Sequence, residues 1–339
     1  MPMKTGIAGA SGYLGAELLR LLATHPGFEV VLVQGDTSAG TAVGELYPNL
    51  APAYSDLTYS SLDAAGLDGL DVVFVALPSG RSQDLVQSLV DRVGLVVDLG
   101  ADFRLRDASL YPRWYGFDHR APELLGRFAY GLPELSRREL ANARLIAAPG
   151  CYVTAATIAL APLVREGLID KTGVIVDAAS GTSGAGRSPS AAFHHSVVNE
   201  SFSAYKLLEH RHTPEMEQAI GAQILFTPHV APMTRGILAT CYGRAVERGA
   251  PAKALEVLRE AYLGEPFVQV SAEPSSTRDT YGSNTVRVTA RYDERTGHVV
   301  ALAALDNLVK GGAGQAIQAA NIALGFKETT GLPMLGLVP

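Results

Sequence analysis

The turn Gly9-Ala10-Ser11-Gly12-Tyr13-Leu14-Gly15 constrains the fold more than any other stretch. It lies between a short apolar strand, Thr5 to Ala8, and a helix from Tyr13 to His25 with Leu14, Leu18, Leu19 and Leu22 on one face. Glycines at such a junction permit a tight turn and let backbone N–H groups approach a pyrophosphate at the helix N-terminus. A second strand, Glu29 to Gln34, ends beside Gly35, which completes the strand–turn–helix–strand setting of a dinucleotide site. Its G-x-x-G-x-x-G spacing differs from G-x-G-x-x-G, so this loop wraps phosphates differently.

The alternation continues. Asp71 to Leu77 and Gly94 to Asp98 read as strands, with a helix from Ser82 to Asp91 between them. Near-continuous β-branched runs separated by helices imply parallel strands covered on both faces. Beyond residue 150 the strand candidates lengthen and several alternate: Gly173 to Asp177, Gly236 to Val246, Ser283 to Tyr292 and His298 to Leu305. With helices such as Pro251 to Leu263 between them, they suggest a mostly antiparallel sheet with helices on one face. The expected fold is therefore α/β: a Rossmann-type doubly wound parallel sheet plus an α+β domain. The boundaries expected are 1–150 for the nucleotide domain, completed by the C-terminal helix (Gly311 to Gly325) and tail at about 308–339. Residues 151–307 then form the catalytic, substrate and oligomerisation domain.

Composition narrows the partners. In 339 residues, 47% apolar and 18% charged content suits two globular cores, and a net charge of −6 without a basic block disfavours nucleic acid and anionic membranes. No apolar run approaches the ~20 residues of a membrane helix. Met1-Pro2-Met3-Lys4 leads straight into strand-like sequence, leaving no room for a signal peptide. Cys151 and Cys241 lie far apart without CxxC spacing, which fits a reducing compartment, so a cytoplasmic protein is expected.

The coenzyme is harder to read. Asp36, at the end of the second strand, suits the ribose 2′-hydroxyl of NAD, whereas the hydroxyls of Thr37 and Ser38 suit a 2′-phosphate. No Lys or Arg occurs between Arg20 and Arg81, so a local phosphate clamp is missing.

Cys151 follows Ala148-Pro149-Gly150 and precedes an apolar helical run, Ala155 to Val164. A thiol in the first turn of a helix faces the positive end of the dipole, where a thiolate is stabilised. A buried, inert cysteine is the competing interpretation. Downstream, His210-Arg211-His212-Thr213-Pro214-Glu215 marks a helix start with Thr213 as N-cap and Pro214 first in the helix. His212 then lies in a loop where its ring can exchange protons with an oxyanion, unless the stretch is only a solvated surface loop. His210, His212 and His229 lack a carboxylate or cysteine at ligand spacing, so no metal is expected. Arg104, Arg187 and Arg235 sit beside glycine or aromatic residues; together they suggest an anionic substrate, although each alone suits a structural ion pair.

These motifs, with Asp98-Leu99-Gly100-Ala101-Asp102-Phe103-Arg104-Leu105, Tyr130-Gly131-Leu132-Pro133-Glu134, Ser180-Gly181-Thr182-Ser183-Gly184-Ala185-Gly186-Arg187, Phe226-Thr227-Pro228-His229 through Gly236, and Asp306-Asn307-Leu308-Val309-Lys310-Gly311, resemble the N-acetyl-γ-glutamyl-phosphate reductases of arginine biosynthesis over essentially the whole chain. These are relatives of aspartate-semialdehyde dehydrogenase. The resemblance implies NADPH-dependent reduction of an acyl phosphate through a Cys151 thioester, with His212 as acid–base and His210 as second choice. It implies NADP contacts from Gly9, Ser11, Gly12, Tyr13, Leu14, Gly15, Thr37, Ser38, Pro78, Ser79, Ser183, Gly184 and Asn307. Substrate contacts are implied for Arg104 (phosphate), Arg187 or Arg235 (α-carboxylate), His210 and Glu215, with a homodimer or homotetramer built through the second domain. The chain departs from the family at Ala148, usually Asn, at Val153, usually Pro, and at Ser79, usually His. Without that Asn, backbone N–H groups at the helix start are expected to meet the oxyanion. Three rival readings are an aminoadipyl-phosphate reductase, whose substrate is one methylene longer; aspartate-semialdehyde dehydrogenase, disfavoured by His-Arg-His-Thr-Pro-Glu; and a non-catalytic nucleotide sensor.

Overall fold

The computed structural model describes residues 1–247 and 253–338. The chain divides into two compact units: Met1–Pro149 with Gly312–Leu332, and Gly150–Gly311 with Pro333–Pro339.

The first unit is built on six strands: β1 (Met3–Ala8), β2 (Phe28–Gln34), β3 (Val72–Val75), β4 (Leu95–Asp98), β5 (Ala129–Tyr130) and β6 (Leu145–Ala147). Every pairing is parallel, in the order β2-β1-β3-β4-β6-β5. The chain leaves β1 to one side for β2 and then crosses to β3 on the other, creating the switch point where such sheets bind ligands. Helices α1 (Tyr13–Leu22), α2 (Val43–Leu46), α3 (Ser82–Leu89), α4 (Leu110–Tyr115) and α5 (Pro133–Leu140) connect the strands. All residues of β3 and β4 are buried, as strands covered on both faces must be. On one face Leu85, Val86 and Leu89 of α3 join Val73, Val75 and Val96 in one core. On the other, Phe74 meets Phe28, which packs edge-on against Phe326. The doubly wound expectation holds.

The first helix stops at Leu22, short of the expected His25, because the His25 ring is used otherwise: Nδ1 accepts from Gly27 N–H and Nε2 meets Asn321 Oδ1 at 3.0 Å.

The second unit carries β7 (Val174–Ser180), β8 (Ser203–Ala204), β9 (Ile224–Val230), β10 (Ile237–Arg244), β11 (Val268–Val270), β12 (Val286–Asp293) and β13 (His298–Leu305) in the order β11-β12-β13-β10-β7-β9-β8. Only β11·β12 and β7·β9 are parallel, so the sheet is mostly antiparallel, as expected. Its helices are α6 (Cys151–Arg165), α7 (His195–Val198), α8 (Thr213–Ile220) and α9 (Ala254–Ala261). The expected helix from Pro251 falls partly outside the described residues. Buried and half-buried positions alternate along β7, and α6 is buried from Tyr152 to Val164, so α6 covers one sheet face. It packs on β10, β12 and β13 and against α8 and α9.

A π-helical turn (Val309–Ala313) leads into α10 (Gly314–Ala323), which returns to the first unit against α1, α5 and β4. The tail does not stay there, contrary to the expectation for 308–339. Pro333 C=O accepts from Asn284 N–H, and Leu337 N–H donates to Tyr281 C=O, which ties the last residues to the second unit. Among the described residues no helix is long and apolar enough to cross a membrane.

Candidate active site

In the first unit, β1 ends at Ala8 and the chain turns at Gly9 with φ +85°, a conformation that suits glycine. A Cβ there would lie 2.3 Å from Ala76 O, and one at Gly15 would lie 2.4 Å from Ala10 Cα. The loop therefore hugs the sheet, tied by Gly9 and Ala10 N–H groups to Gln34 O at 2.9 and 2.8 Å. Gly12 is the N-cap of α1, and a Cβ there would meet only Gly9 O, at 3.6 Å. The first turn of α1 holds no carboxylate and Gly12 no capping side chain, so the helix start suits an anion. Ser11 is buried, while Tyr13 is exposed and Leu14 half-buried. Thr37 is exposed and Ser38 buried in the turn that follows β2; Pro78 and Ser79 lie in the loop after β3. These residues sit at the carboxyl ends of three adjacent strands, β2, β1 and β3. A dinucleotide fits there: the glycines bring backbone N–H groups to an approach that side chains would fill.

In the second unit, Cys151 is the first residue of α6, half-buried, after an extended Gly150 N-cap, with no acid in the first turn. A Cβ on Gly150 would fall 2.6 Å from His212 Nε2, and one on Gly311 would fall 2.8 Å from Cys151 Cβ. Glycine at both positions thus packs the His212 ring and the Cys151 side chain tightly against the helix start. His212 is itself the N-cap position of α8, one residue before the expected Thr213. Its backbone N–H donates to His210 Nδ1 at 3.1 Å.

Three residues expected to contact substrate also engage groups of the protein. Glu215 is fully buried, and its Oε1 accepts from Gly150 N–H at 3.0 Å, a positioning role. His210 is 6% exposed, its Nε2 3.5 Å from Tyr205 OH, and burial followed by Arg211 and Lys206 pulls its pKa down to about 3. It stays neutral near pH 7. Arg104, in the first unit, donates through Nε to Ala148 O at 2.7 Å and through Nη2 to Leu99 O at 2.8 Å. It fixes the backbone three residues before Cys151.

Two tyrosines near these residues carry no role in the sequence reading. Tyr152 OH donates to His229 O at 2.9 Å and accepts from Tyr205 OH at 3.3 Å; burial drives the Tyr152 hydroxyl pKa up and pushes Tyr205 up to about 12. Both remain protonated donors, and only the position of Tyr152 beside Cys151 hinted at this.

A second cluster unites other expected residues. Asn307 Oδ1 accepts from Gly236 N–H at 2.8 Å, and its Nδ2 donates to Ser183 Oγ at 2.9 Å, with Gly184 adjoining. Arg235 lies 3.6 Å from Asp306, whose Oδ1 also takes the N–H groups of Leu308 and Val309. Arg187 is half-buried just past Gly186, a left-handed residue. The Asp306–Gly311 turn links this cluster to Cys151.

Comparison with known proteins agrees with both units. A family model described as semialdehyde dehydrogenase, NAD binding domain, matches residues 4–143, and one described as semialdehyde dehydrogenase, dimerisation domain, matches 151–307. The chain is 45% identical over 347 residues to the N-acetyl-gamma-glutamyl-phosphate reductase of Symbiobacterium thermophilum, covering 100% of this chain and 99% of that protein. Among solved structures it is similar in fold to aspartate semialdehyde dehydrogenase II from Vibrio cholerae (TM-score 0.71, 15% identity, 96% of this chain and 99% of that one). A second is aspartate semialdehyde dehydrogenase with NADP from Candida albicans (TM-score 0.69, 17% identity, 94% and 98%).

Proposed function

Because the chain belongs to the N-acetyl-gamma-glutamyl-phosphate reductase family, we infer that it reduces N-acetyl-γ-glutamyl phosphate to N-acetyl-L-glutamate 5-semialdehyde and phosphate, a step of arginine biosynthesis. It is an oxidoreductase. The observation that carries the mechanism is Cys151 at the first position of α6 with the His212 ring packed against Gly150.

Cys151, as thiolate, attacks the acyl carbon; the bond from that carbon to the phosphate oxygen breaks, phosphate leaves and a thioester remains. The α6 dipole favours the thiolate, and the N–H groups of the first turn of α6 meet the oxyanion where the family's usual Asn is replaced by Ala148. NADPH, when bound, supplies a hydride to the acyl carbon. The resulting tetrahedral oxyanion collapses to the aldehyde and frees the Cys151 thiolate. His212 takes the thiol proton before attack and moves protons to and from the oxyanion. Glu215 holds Gly150 in register, and Tyr205 orients Tyr152. Arg187 and Arg235 are the candidates for the α-carboxylate, their planar guanidinium groups matching it. Gly9, Ser11, Gly12, Tyr13, Leu14, Gly15, Thr37, Ser38, Pro78, Ser79, Ser183, Gly184 and Asn307 are the candidates for the coenzyme. The protein assembles as a homo-oligomer through residues 151–307, as a dimer or tetramer.

A steady-state assay in the oxidative direction tests the reading. Offered N-acetylglutamate semialdehyde and its one-methylene-longer homologue, each with NADP and NAD plus phosphate, the protein is expected to favour the shorter substrate and NADP. Faster turnover of the longer aldehyde would replace the substrate assigned.

A further inference from the structure

Residues 21–80 hold no Lys or Arg, yet the fold supplies a guanidinium where the coenzyme's 2′-position is expected. Arg81, from the loop after β3, reaches Asp36 at the end of β2, with Nη2 3.7 Å from Oδ2. Both partners are firmly based. Asp36 Oδ1 accepts from Leu62 N–H at 2.8 Å. Gly80 and Ser82 N–H groups donate to the Asp102 carboxylate at 2.7 and 3.1 Å, and Gly80 C=O accepts from Arg120 at 2.8 Å. The backbone on either side of Arg81 is thereby pinned, while its side chain is 64% exposed.

A pair this open, and longer than a hydrogen bond, contributes little to stability. Its geometry suits another task. Gly35 packs directly on Ser11 of the glycine loop, where a Cβ would fall 2.6 Å from Ser11 Oγ, so the end of β2 lies beside the pyrophosphate loop. An acid at that point ordinarily takes a ribose 2′-hydroxyl and repels a 2′-phosphate. Arg81 neutralises that acid and adds a planar set of donors suited to phosphate.

Resting on the NADP reading above, we propose that Arg81, with Thr37 and Ser38, forms the 2′-phosphate site, and that the Arg81–Asp36 pair sets coenzyme selectivity. Bound phosphate draws the guanidinium from Asp36, so the carboxylate moderates affinity rather than creating it.

Calorimetric titration with 2′,5′-ADP and 5′-AMP tests this without catalysis. Arg81→Gln is expected to weaken 2′,5′-ADP by about 10- to 100-fold, the range of a charge-assisted hydrogen bond, and 5′-AMP by less than about twofold. Asp36→Asn is expected to tighten 2′,5′-ADP. In turnover, Arg81→Gln is expected to lower the ratio of kcat/KM for NADPH to that for NADH. An Arg81→Gln protein that holds 2′,5′-ADP as tightly as the parent, with the parent still preferring 2′,5′-ADP, overturns the proposal alone. A parent that binds both nucleotides equally overturns the NADP reading itself, and the proposal with it.

Discussion

In the proposed reaction Cys151 depends on its place at the first position of α6, a turn that holds no acid. The glycines around it matter as much as the thiol. Gly150→Ala would push a Cβ to 2.6 Å from His212 Nε2, so the ring must move. The expected outcome is a loss of about 100-fold in kcat, the usual cost of roughly ångström-scale misplacement, with an unchanged circular dichroism spectrum. For His212→Asn a large loss of turnover is expected; near-normal rates would move the acid–base role to His210. At this scale the sequence drew attention to residues whose contacts only the fold displays. Glu215 and Arg104 carry the charges expected of substrate ligands, yet burial commits them to Gly150 N–H and to carbonyl oxygens. Residue type reveals charge; only packing reveals whether the charge is already used.

The elements follow the same logic. β3 and β4 were legible because strands buried on both faces read as unbroken apolar runs between helices, and β1 and β2 because they flank the glycine turn and its helix. β5 and β6 were not: two and three residues cannot display a period, and their place is set by pairing, β6 on β4 and β5 on β6. Arg81 was visible as a residue but not as a neighbour of Asp36, since 45 positions and a whole strand crossover separate them. The glycine loop is the element whose sequence and structure agree most closely. Gly9→Ala combines a left-handed backbone with a Cβ at 2.3 Å from Ala76 O. It should lower unfolding free energy by more than about 1 kcal/mol and weaken nucleotide binding together. Urea unfolding and nucleotide titration of the same variant measure both, and an unchanged pair of values would contradict the loop geometry.

At the scale of the whole molecule, buried titrating groups make stability depend on pH. Burial, and then Asp102 nearby, push the Asp98 carboxyl up to about 7 from its ordinary 3.8. Its folded form therefore holds a proton that the unfolded chain releases, so its contribution is full below pH 3.8 and is lost as pH rises towards 7. The ceiling is about 4 kcal/mol, from roughly three units at 1.36 kcal/mol each. His210 runs the other way, its contribution present above pH 6.5 and lost as pH falls towards 3. Comparing Asp98→Asn with the parent isolates the first effect: the variant should lose the decline between pH 4 and 7, and a parallel pair of curves would refute it. The division into two units was legible from the change of rhythm near residue 150, but the return of the tail to the second unit was not, because backbone hydrogen bonds from Asn284 and Leu337 decide it. The central step of the proposed reaction is a covalent one. Mass spectrometry of the protein incubated with N-acetylglutamate semialdehyde and NADP, without phosphate, should find an N-acetylglutamyl group on the Cys151 peptide, which phosphate then discharges. Phosphate-dependent turnover with no such adduct, or a Cys151→Ser protein that still turns over, would contradict the account.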